Sequence, residues 1–144
     1  MIPKFRAWYT PFKGEEFGQE MKYGQAGRLI THAEMSPDKY VLMQSTGLKD
    51  KNDVEIFEGD IALITHKSTN YADTYWHSYV EVFRAKNGAY RIRGKHIYET
   101  ELYSNRKQLT VAGNIYNSPE LLKRDRFMTT TKNPELLGGM NSDE

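Results

Sequence analysis

The chain is organised around one stretch of sequence, Glu55-Ile56-Phe57-Glu58-Gly59-Asp60-Ile61-Ala62-Leu63-Ile64. Its last four residues form the most apolar short run of the chain and are typical of a buried strand. The polar triplet at 58–60 contains turn-forming residues and leads into that strand. The residues before it, 48–57, have the pattern of a tight hairpin with Asn52-Asp53 at its tip. The stretch therefore predicts consecutive antiparallel strands at the centre of a β domain.

Strand patterns continue on both sides of this centre. Residues 4–9 alternate, so that Arg6 and Trp8 share one face and the intervening residues share the other. Further predicted strands cover residues 29–32, 40–43, 78–85, 89–93 and 109–116. A short helix is predicted after Ser118, which suits an N-cap, with Pro119 at its first position. Many short strands and one short helix predict a mainly β fold, a small, partly open barrel or roll with extra hairpins.

Composition limits the classes of protein to which the chain can belong. Its 144 residues suit one domain, and the absence of cysteine excludes disulfides and thiolate metal sites. A formal net charge of +1 argues against a protein-wide attraction to nucleic acid or to membranes. No apolar run approaches the roughly 18 residues of a membrane helix. We therefore expect a soluble, intracellular protein that makes no membrane contact.

Apolar residues become rare after Arg124. The sequence therefore predicts a domain over residues 1–124 and a flexible tail over residues 125–144. The tail contains a second Pro-Glu-Leu-Leu string at 134–137, which repeats the string at 119–122 and predicts a second short helix. That helix would either dock on the domain or bind a partner.

Three segments carry a family resemblance, namely Lys4–Trp8, Met43–Ile61 and Gly113–Leu122. Together they resemble the YopX family of phage and prophage proteins. The positions that carry the resemblance are Phe5, Trp8, Gly47, Leu48, Asp50, Ile56, Glu58, Gly59, Asp60, Gly113, Asn114 and Pro119. The resemblance implies a mainly β fold built on a partly open SH3-like barrel, and it implies no catalytic residues. One departure is Asp53, which stands where the family has glycine and predicts a longer or mildly strained turn.

The acidic residues near the centre do not match a metal site. Five acidic residues fall close together, namely Asp50, Asp53, Glu55, Glu58 and Asp60. A calcium loop counted from Asp50 would need glycine at its sixth position and glutamate at its twelfth, and the sequence has neither residue at those positions. Carboxylates in the 58–60 turn are instead expected to accept hydrogen bonds from backbone amides. The cluster therefore predicts a solvated hairpin.

No catalytic constellation emerges from the remaining polar residues. The histidines, at positions 32, 66, 77 and 96, lack metal-ligand spacing. The sequence also has no nucleophile elbow, phosphate-binding loop or dinucleotide fingerprint. We expect a protein that is not an enzyme and that uses neither a metal nor a cofactor.

The most basic part of the chain is a predicted hairpin over residues 84–95 with Asn87-Gly88 at its turn. Its basic residues are Arg84, Lys86, Arg91, Arg93 and Lys95. A two-residue turn would place Arg84 opposite Arg91 and would collect the first four on one face. Such a face could bind phosphates or an acidic protein surface. The alternative is that Glu81, Glu99 and Glu101, or the acids at 50–60, neutralise it within the fold.

An aromatic group precedes this hairpin, formed by Tyr71, Tyr75, Trp76 and Tyr79. These residues either form an exposed recognition surface or cover the open end of the barrel, and the second reading is preferred. Taken together, the sequence predicts a phage or prophage accessory protein that binds a host or phage protein, or a second copy of itself. The alternative is a nucleic-acid-binding module that uses the basic hairpin.

Overall fold

The computed structural model describes residues 4–12 and 16–130. Ten strands lie within these ranges: β1 (Lys4–Tyr9), β2 (Glu20–Gln25), β3 (Tyr40–Lys49), β4 (Glu55–Phe57), β5 (Asp60–Lys67), β6 (Tyr75–Arg84), β7 (Tyr90–Gly94), β8 (Ile97–Glu101), β9 (Leu109–Asn114) and β10 (Phe127–Thr129). Two α-helices accompany them, α1 (Ala26–Met35) and α2 (Leu102–Asn105), together with 3-10 turns at Arg106–Gln108 and Pro119–Lys123.

The strands form two antiparallel sheets. The smaller sheet has the order β2-β1-β3-β4, and the larger has the order β8-β7-β6-β5-β9, with β10 added to β6. The larger sheet curls into a half-barrel. The predicted mainly β fold is therefore confirmed.

The core lies on one face of the larger sheet. Ala62 and Ile64 of β5, Val80 and Val82 of β6 and Ile92 of β7 are completely buried there, and Leu102 and Leu109 close the cluster. On the other face of β5, Ile61 and Leu63 are also buried, and the 3-10 turn at Pro119–Lys123 packs against β5 and β6. The central strand is apolar on both faces because both faces are covered.

Helix α1 corrects one sequence prediction. The short strand predicted at Leu29–His32 is wrong, because these residues lie within α1, which packs against β1, β2 and β3. Leu29 is buried on the face of the smaller sheet where Ala7 is also buried. That face needs an apolar cover, and tertiary packing of this kind overrides a weak local pattern.

The C-terminal strand β10 lies within the predicted tail. Phe127, Met128 and Thr129 pair with His77, Trp76 and Tyr75 of β6. Residues 127–129, which the sequence places in the tail, therefore pair with the larger sheet, and the boundary at residue 124 stays a prediction. The second Pro-Glu-Leu-Leu string, at 134–137, lies outside the described residues.

The first Pro-Glu-Leu-Leu string forms the 3-10 turn at Pro119–Lys123, with Pro119 at its start as predicted. Ser118 occupies the N-cap position as predicted, but its side chain makes no capping hydrogen bond. The Ser118 hydroxyl instead donates to Asn117 Oδ1 at 3.0 Å. Within the described ranges, none of the helices is long and apolar enough to cross a bilayer.

Candidate binding surfaces

A buried ion pair connects the two sheets. Arg6 of β1 and Asp60 of β5 are 3% and 2% exposed, and Arg6 Nη1 lies 2.8 Å from Asp60 Oδ1. Arg6 Nη2 donates to the Glu58 carbonyl at 3.1 Å, and the guanidinium lies over the Phe57 ring at 4.8 Å. Arg6 Nε has no hydrogen-bond partner among the described residues. The sequence placed Arg6 on the more polar face of β1 but gave no sign that this face is covered.

Asp60 has a second role in the same turn. Its Oδ2 accepts a hydrogen bond from the Phe57 amide at 2.8 Å, which is the backbone contact that the sequence predicts. Burial raises the pKa of Asp60 above its ordinary value, although the Arg6 guanidinium and the Phe57 amide act in the opposite direction. Both oxygens of the Asp60 carboxylate are thus engaged in contacts within the fold.

Asp50 connects the first hairpin to β9. Its Oδ1 accepts from the amides of Asn52 and Val54, and its Oδ2 accepts from the Val111 amide at 2.8 Å. Asp53, at the tip of this hairpin, has a left-handed backbone conformation with φ 67°. The hairpin closes with a loop longer than a two-residue turn, as the aspartate at this position predicts. The Lys51 amide donates to the Leu109 carbonyl at 3.0 Å, which holds the loop against β9 from the other side.

Asn114 organises the end of β9 in a similar way. Its Oδ1 accepts from the amides of Tyr116 and Asn117, and the Ile115 amide donates to the Gly59 carbonyl at 2.9 Å. The Tyr116 ring then stacks on Trp8 of β1, with ring centroids 5.4 Å apart.

The other positions that carry the resemblance also fit structural roles. Ile56 is completely buried, Leu48 packs on the core, and Phe5 and Glu58 are half-buried. Gly47 and Gly59 have positive φ angles of 78° and 87°, which favour glycine. A side chain at Gly113 would meet Ser118, and Pro119 is exposed at the start of its 3-10 turn.

The basic hairpin has a different register from the predicted one. Ala85 and Ala89 pair through the Ala85 amide, so the loop has three residues and Gly88 adopts φ 89°. Arg84 therefore lies opposite Tyr90, and Arg93 lies opposite Glu81. The prediction of one face shared by Arg84, Lys86, Arg91 and Arg93 is wrong, because a one-residue change in pairing moves side chains to the opposite face.

Acidic neighbours neutralise most of this hairpin. Arg91 pairs with Glu99 at 2.7 Å, and Arg93 pairs with Glu81 at 3.4 Å while lying 4.0 Å from the centroid of the Phe83 ring. Lys95 pairs with Asp125 at 2.7 Å, and hydrogen bonds from Lys95 and His96 lower the pKa of Asp125. The neutralising groups are thus Glu81, Glu99 and Asp125 rather than the acids at 50–60.

Arg84 and Lys86 differ from the other three basic residues. Both are exposed at the end of the hairpin, and neither makes an ion pair within the described part of the chain. Arg84 Nε donates to the Gly88 carbonyl at 3.4 Å, and its guanidinium lies 5.9 Å from the Tyr90 ring centroid. Among the described residues, the hairpin therefore has two exposed basic side chains without an ion pair, instead of the five that the sequence groups together.

The aromatic group does not form one exposed surface. Tyr71 is 62% exposed in the loop before β6, whereas Tyr75, Trp76 and Tyr79 are half-buried along β6. Arg126 lies over the Trp76 ring at 4.4 Å, and Arg124 lies 6.0 Å from the Tyr79 centroid. The segment that leads into β10 thus covers part of this group.

Strand β8 is a surface that the sequence does not predict. It lies at the edge of the larger sheet, where it pairs with β7. Its Tyr98 is 97% exposed, and the nearby Tyr103 is 57% exposed. The pattern of residues 94–103 is ambiguous, because polar side chains interrupt the apolar alternation that identifies a strand. An almost fully exposed tyrosine on an edge strand is the feature that only the structure shows.

The histidines do not converge on a metal site. Within residues 4–12 and 16–130, no group of three or more His, Cys, Asp or Glu side chains is placed to hold an ion. His77 is completely buried, and its Nδ1 and Nε2 share hydrogen bonds with the hydroxyls of Thr65 and Thr129 at 2.9 and 2.7 Å. These contacts connect β5, β6 and β10.

Comparisons with known proteins bear directly on the resemblance. The family model described as YopX protein matches residues 4–123. A crystal structure of protein EF1440 from Enterococcus faecalis is 30% identical, covers 85% of this chain and 99% of its own, and superposes with a TM-score of 0.48. No match was found among curated proteins. The family match covers most of the chain and includes every position that carries the resemblance, so this protein belongs to the YopX protein family.

Proposed function

We propose that this protein is a non-enzymatic binding module, encoded by a phage or prophage, that docks a protein partner on the edge of β8. The partner is a host or phage protein, and the site of action is the bacterial cytoplasm. The observation that carries the proposal is Tyr98, which is 97% exposed on an edge strand.

Edge strands have backbone N–H and C=O groups that no neighbouring strand satisfies. An extended segment of a partner can add to such an edge, where main-chain hydrogen bonds give affinity and side chains give specificity. Tyrosine is among the residues that contribute most to binding energy at protein interfaces. Glu101 is exposed on the same strand, which favours a partner segment with Lys or Arg opposite it.

The carboxylates shared with the family support a role without chemistry. Both oxygens of Asp60 are engaged, by Arg6 and by the Phe57 amide. Both oxygens of Asp50 accept backbone amides. General acid or base catalysis needs a carboxyl group within reach of a substrate proton, and these two groups are committed to the fold.

The test is capture of partners from a lysate of the bacterium that carries the gene. We expect the wild-type protein to retain a specific partner and the Tyr98→Glu variant to retain at least tenfold less. Tyr71→Glu is the matched control, because Tyr71 is also exposed but lies outside β8. Equal recovery by all three proteins would remove β8 as the docking site. If no specific partner is retained by the wild type, the protein-binding proposal fails.

Light scattering tests whether the partner is a second copy of this chain. Pairing of two β8 edges predicts a dimer that the Tyr98→Glu variant loses and the Tyr71→Glu variant keeps. A wild-type monomer at all concentrations would exclude self-association as the function of this edge.

A second candidate function is nucleic-acid binding, which Arg84 and Lys86 favour because both are exposed at the end of the hairpin. Binding that depends on phosphate contacts would weaken steeply as the salt concentration rises. We expect Arg84→Glu with Lys86→Glu to abolish it, whereas Lys4→Glu with Lys39→Glu, which changes the charge equally, would not. Binding to duplex or single strands that both variants retain equally would exclude the hairpin as the site.

A further inference from the structure

A pocket lined by lysines lies where separate parts of the chain meet. Its volume is about 260 Å³, and its lining residues are Lys51, Thr65, Lys67, Tyr75, Lys107 and Gln108. The loop between β3 and β4 contributes Lys51, the paired ends of β5 and β6 contribute three residues, and the 3-10 turn before β9 contributes Lys107 and Gln108. Three of the six side chains are cationic, and none carries a carboxylate. We propose that this pocket binds a small oxyanion, with phosphate as its simplest form.

The backbone fixes the positions from which the lysines extend. The Lys51 amide donates to the Leu109 carbonyl, and the preceding Asp50 binds the Val111 amide. Lys107 and Gln108 directly precede Leu109, which is completely buried. Lys67 lies opposite Tyr75 in the β5–β6 pairing. Residues far apart in sequence are therefore held around one pocket before any ligand arrives, which lowers the entropic cost of binding.

The charges explain why an anion is the expected ligand. Like charges that share a site raise one another's energy, and a bound anion relieves that repulsion. Lysine ammonium groups have three donors each and bind phosphate as point charges. Lys67 and Lys107 are exposed, and neither makes an ion pair among the described residues. The charges of Lys67 and Lys107 therefore favour an anion over a neutral ligand or a cation.

The neutral residues and the size of the pocket refine the ligand class. Gln108 adds a neutral amide donor to the lining, whereas the Thr65 hydroxyl is already engaged with His77. Pockets for drug-sized ligands usually have volumes of about 300–1,000 Å³, so this one is small. It fits a single phosphate group, either free or at the end of a small metabolite.

The test is titration of the full chain with inorganic phosphate, followed by amide NMR, with the ionic strength held constant by sodium chloride. We expect saturable shifts at Lys51, Lys107 and Gln108. The Lys67→Gln/Lys107→Gln variant should bind at least tenfold more weakly, which corresponds to about 1.4 kcal/mol. The Lys39→Gln/Lys86→Gln variant is the control, because it removes the same charge from exposed lysines elsewhere and should bind as the wild type does.

Two results would overturn the proposal, namely shifts that do not saturate and equal affinity in both double variants. Phosphate also stabilises proteins by exclusion from their surface, but that effect acts on both variants alike. A second titration, with ribose 5-phosphate, distinguishes a free phosphate ion from a phosphorylated metabolite as the ligand. Binding tighter than that of inorganic phosphate identifies a phosphorylated metabolite, and equal or weaker binding identifies the free ion. Unfolding curves of the variants establish that each remains folded.

Discussion

At the scale of single residues, the Arg6–Asp60 pair is the most consequential contact of the fold. It joins β1 of one sheet to β5 of the other, and both side chains are almost completely buried. Water cannot solvate these buried charges, so each one is stabilised by the other. Removing one of them leaves the other buried and unpaired.

We expect Arg6→Met and Asp60→Ala each to lower the free energy of unfolding by about 3–5 kcal/mol, measured by urea denaturation. The double variant should lose less than the sum of the two, with a coupling energy above about 1 kcal/mol. Lys49→Met with Asp53→Asn provides the control cycle, because that pair is exposed and spans 3.6 Å. Its coupling should fall below about 1 kcal/mol. Single variants at Arg6 and Asp60 that unfold like the wild type would contradict the assigned role.

The acid range of pH provides a second test of Asp60. Burial raises its pKa above the ordinary value of 3.8, so the folded protein keeps the proton at pH values where the unfolded chain has lost it. The contribution of this group to stability is therefore largest below pH 3.8 and is lost as the pH rises through the raised pKa. We expect the Asp60 carboxyl carbon to titrate above pH 3.8 by NMR. A midpoint below 3.8 would contradict the dominance of burial.

Two glycines allow the stability cost of backbone strain to be distinguished from the cost of overpacking. Gly59 and Gly47 both have positive φ, but a Cβ at Gly59 would lie 2.9 Å from Met43 Sδ, whereas a Cβ at Gly47 would meet nothing within 4 Å. We expect Gly47→Ala to cost about 1 kcal/mol through left-handed strain alone, and Gly59→Ala to cost about 1–3 kcal/mol more through overpacking. Thermal unfolding measures both variants. Equal losses would mean that Met43 moves aside freely.

At the scale of elements, β10 is the part of the fold that local sequence does not reveal. It has three residues, and its order depends on pairing with β6 and on the contact between Thr129 and His77. The Phe127 ring also stacks on His77, with centroids 4.9 Å apart. These contacts are tertiary, so a composition-based boundary at residue 124 could not include them.

Truncation measures what β10 contributes. We expect a chain that ends at Arg124 to be about 2–3 kcal/mol less stable than a chain that ends at Thr130, because it loses a half-buried phenylalanine and several hydrogen bonds. Chemical denaturation of both chains checks the difference. Equal stabilities would show that residues 125–130 contribute nothing to the domain.

The hairpins show how far the sequence could predict individual elements. Alternation and turn residues placed β1, β3, β5, β6, β7 and β9 close to where they lie, because these signals are local. The Asn87-Gly88 turn was located correctly, but its register was not. Gly88 takes the left-handed position that closes a three-residue loop, and the same dipeptide also fits a two-residue turn. Local chemistry allows both loops, and they differ by one residue, which decides the faces of Arg84 and Arg91.

At the scale of the whole molecule, the two sheets meet along segments that carry the family resemblance, and β8 is left at an edge of the larger sheet. The mainly β class could be predicted from the number of short strands and turns. The burial of Arg6 and the exposure of Tyr98 could not, because each depends on which element covers a strand rather than on the strand's own sequence.

This architecture separates stability from binding. The positions shared with the family fix the turns and the contact between the sheets, whereas β8 contributes little to that contact and has the most exposed large hydrophobic side chain that the structure describes. We therefore expect substitutions on the exposed face of β8 to leave the fold intact.

Amide hydrogen exchange of the complex with the captured partner tests the central claim most directly. We expect the peptide that covers residues 97–101 to exchange more slowly in the complex than in the free protein, because a partner strand added to β8 satisfies its free backbone groups. The peptide that covers α1 should exchange at the same rate in both states. Unchanged exchange over 97–101, with protection appearing at another surface, would contradict docking at β8.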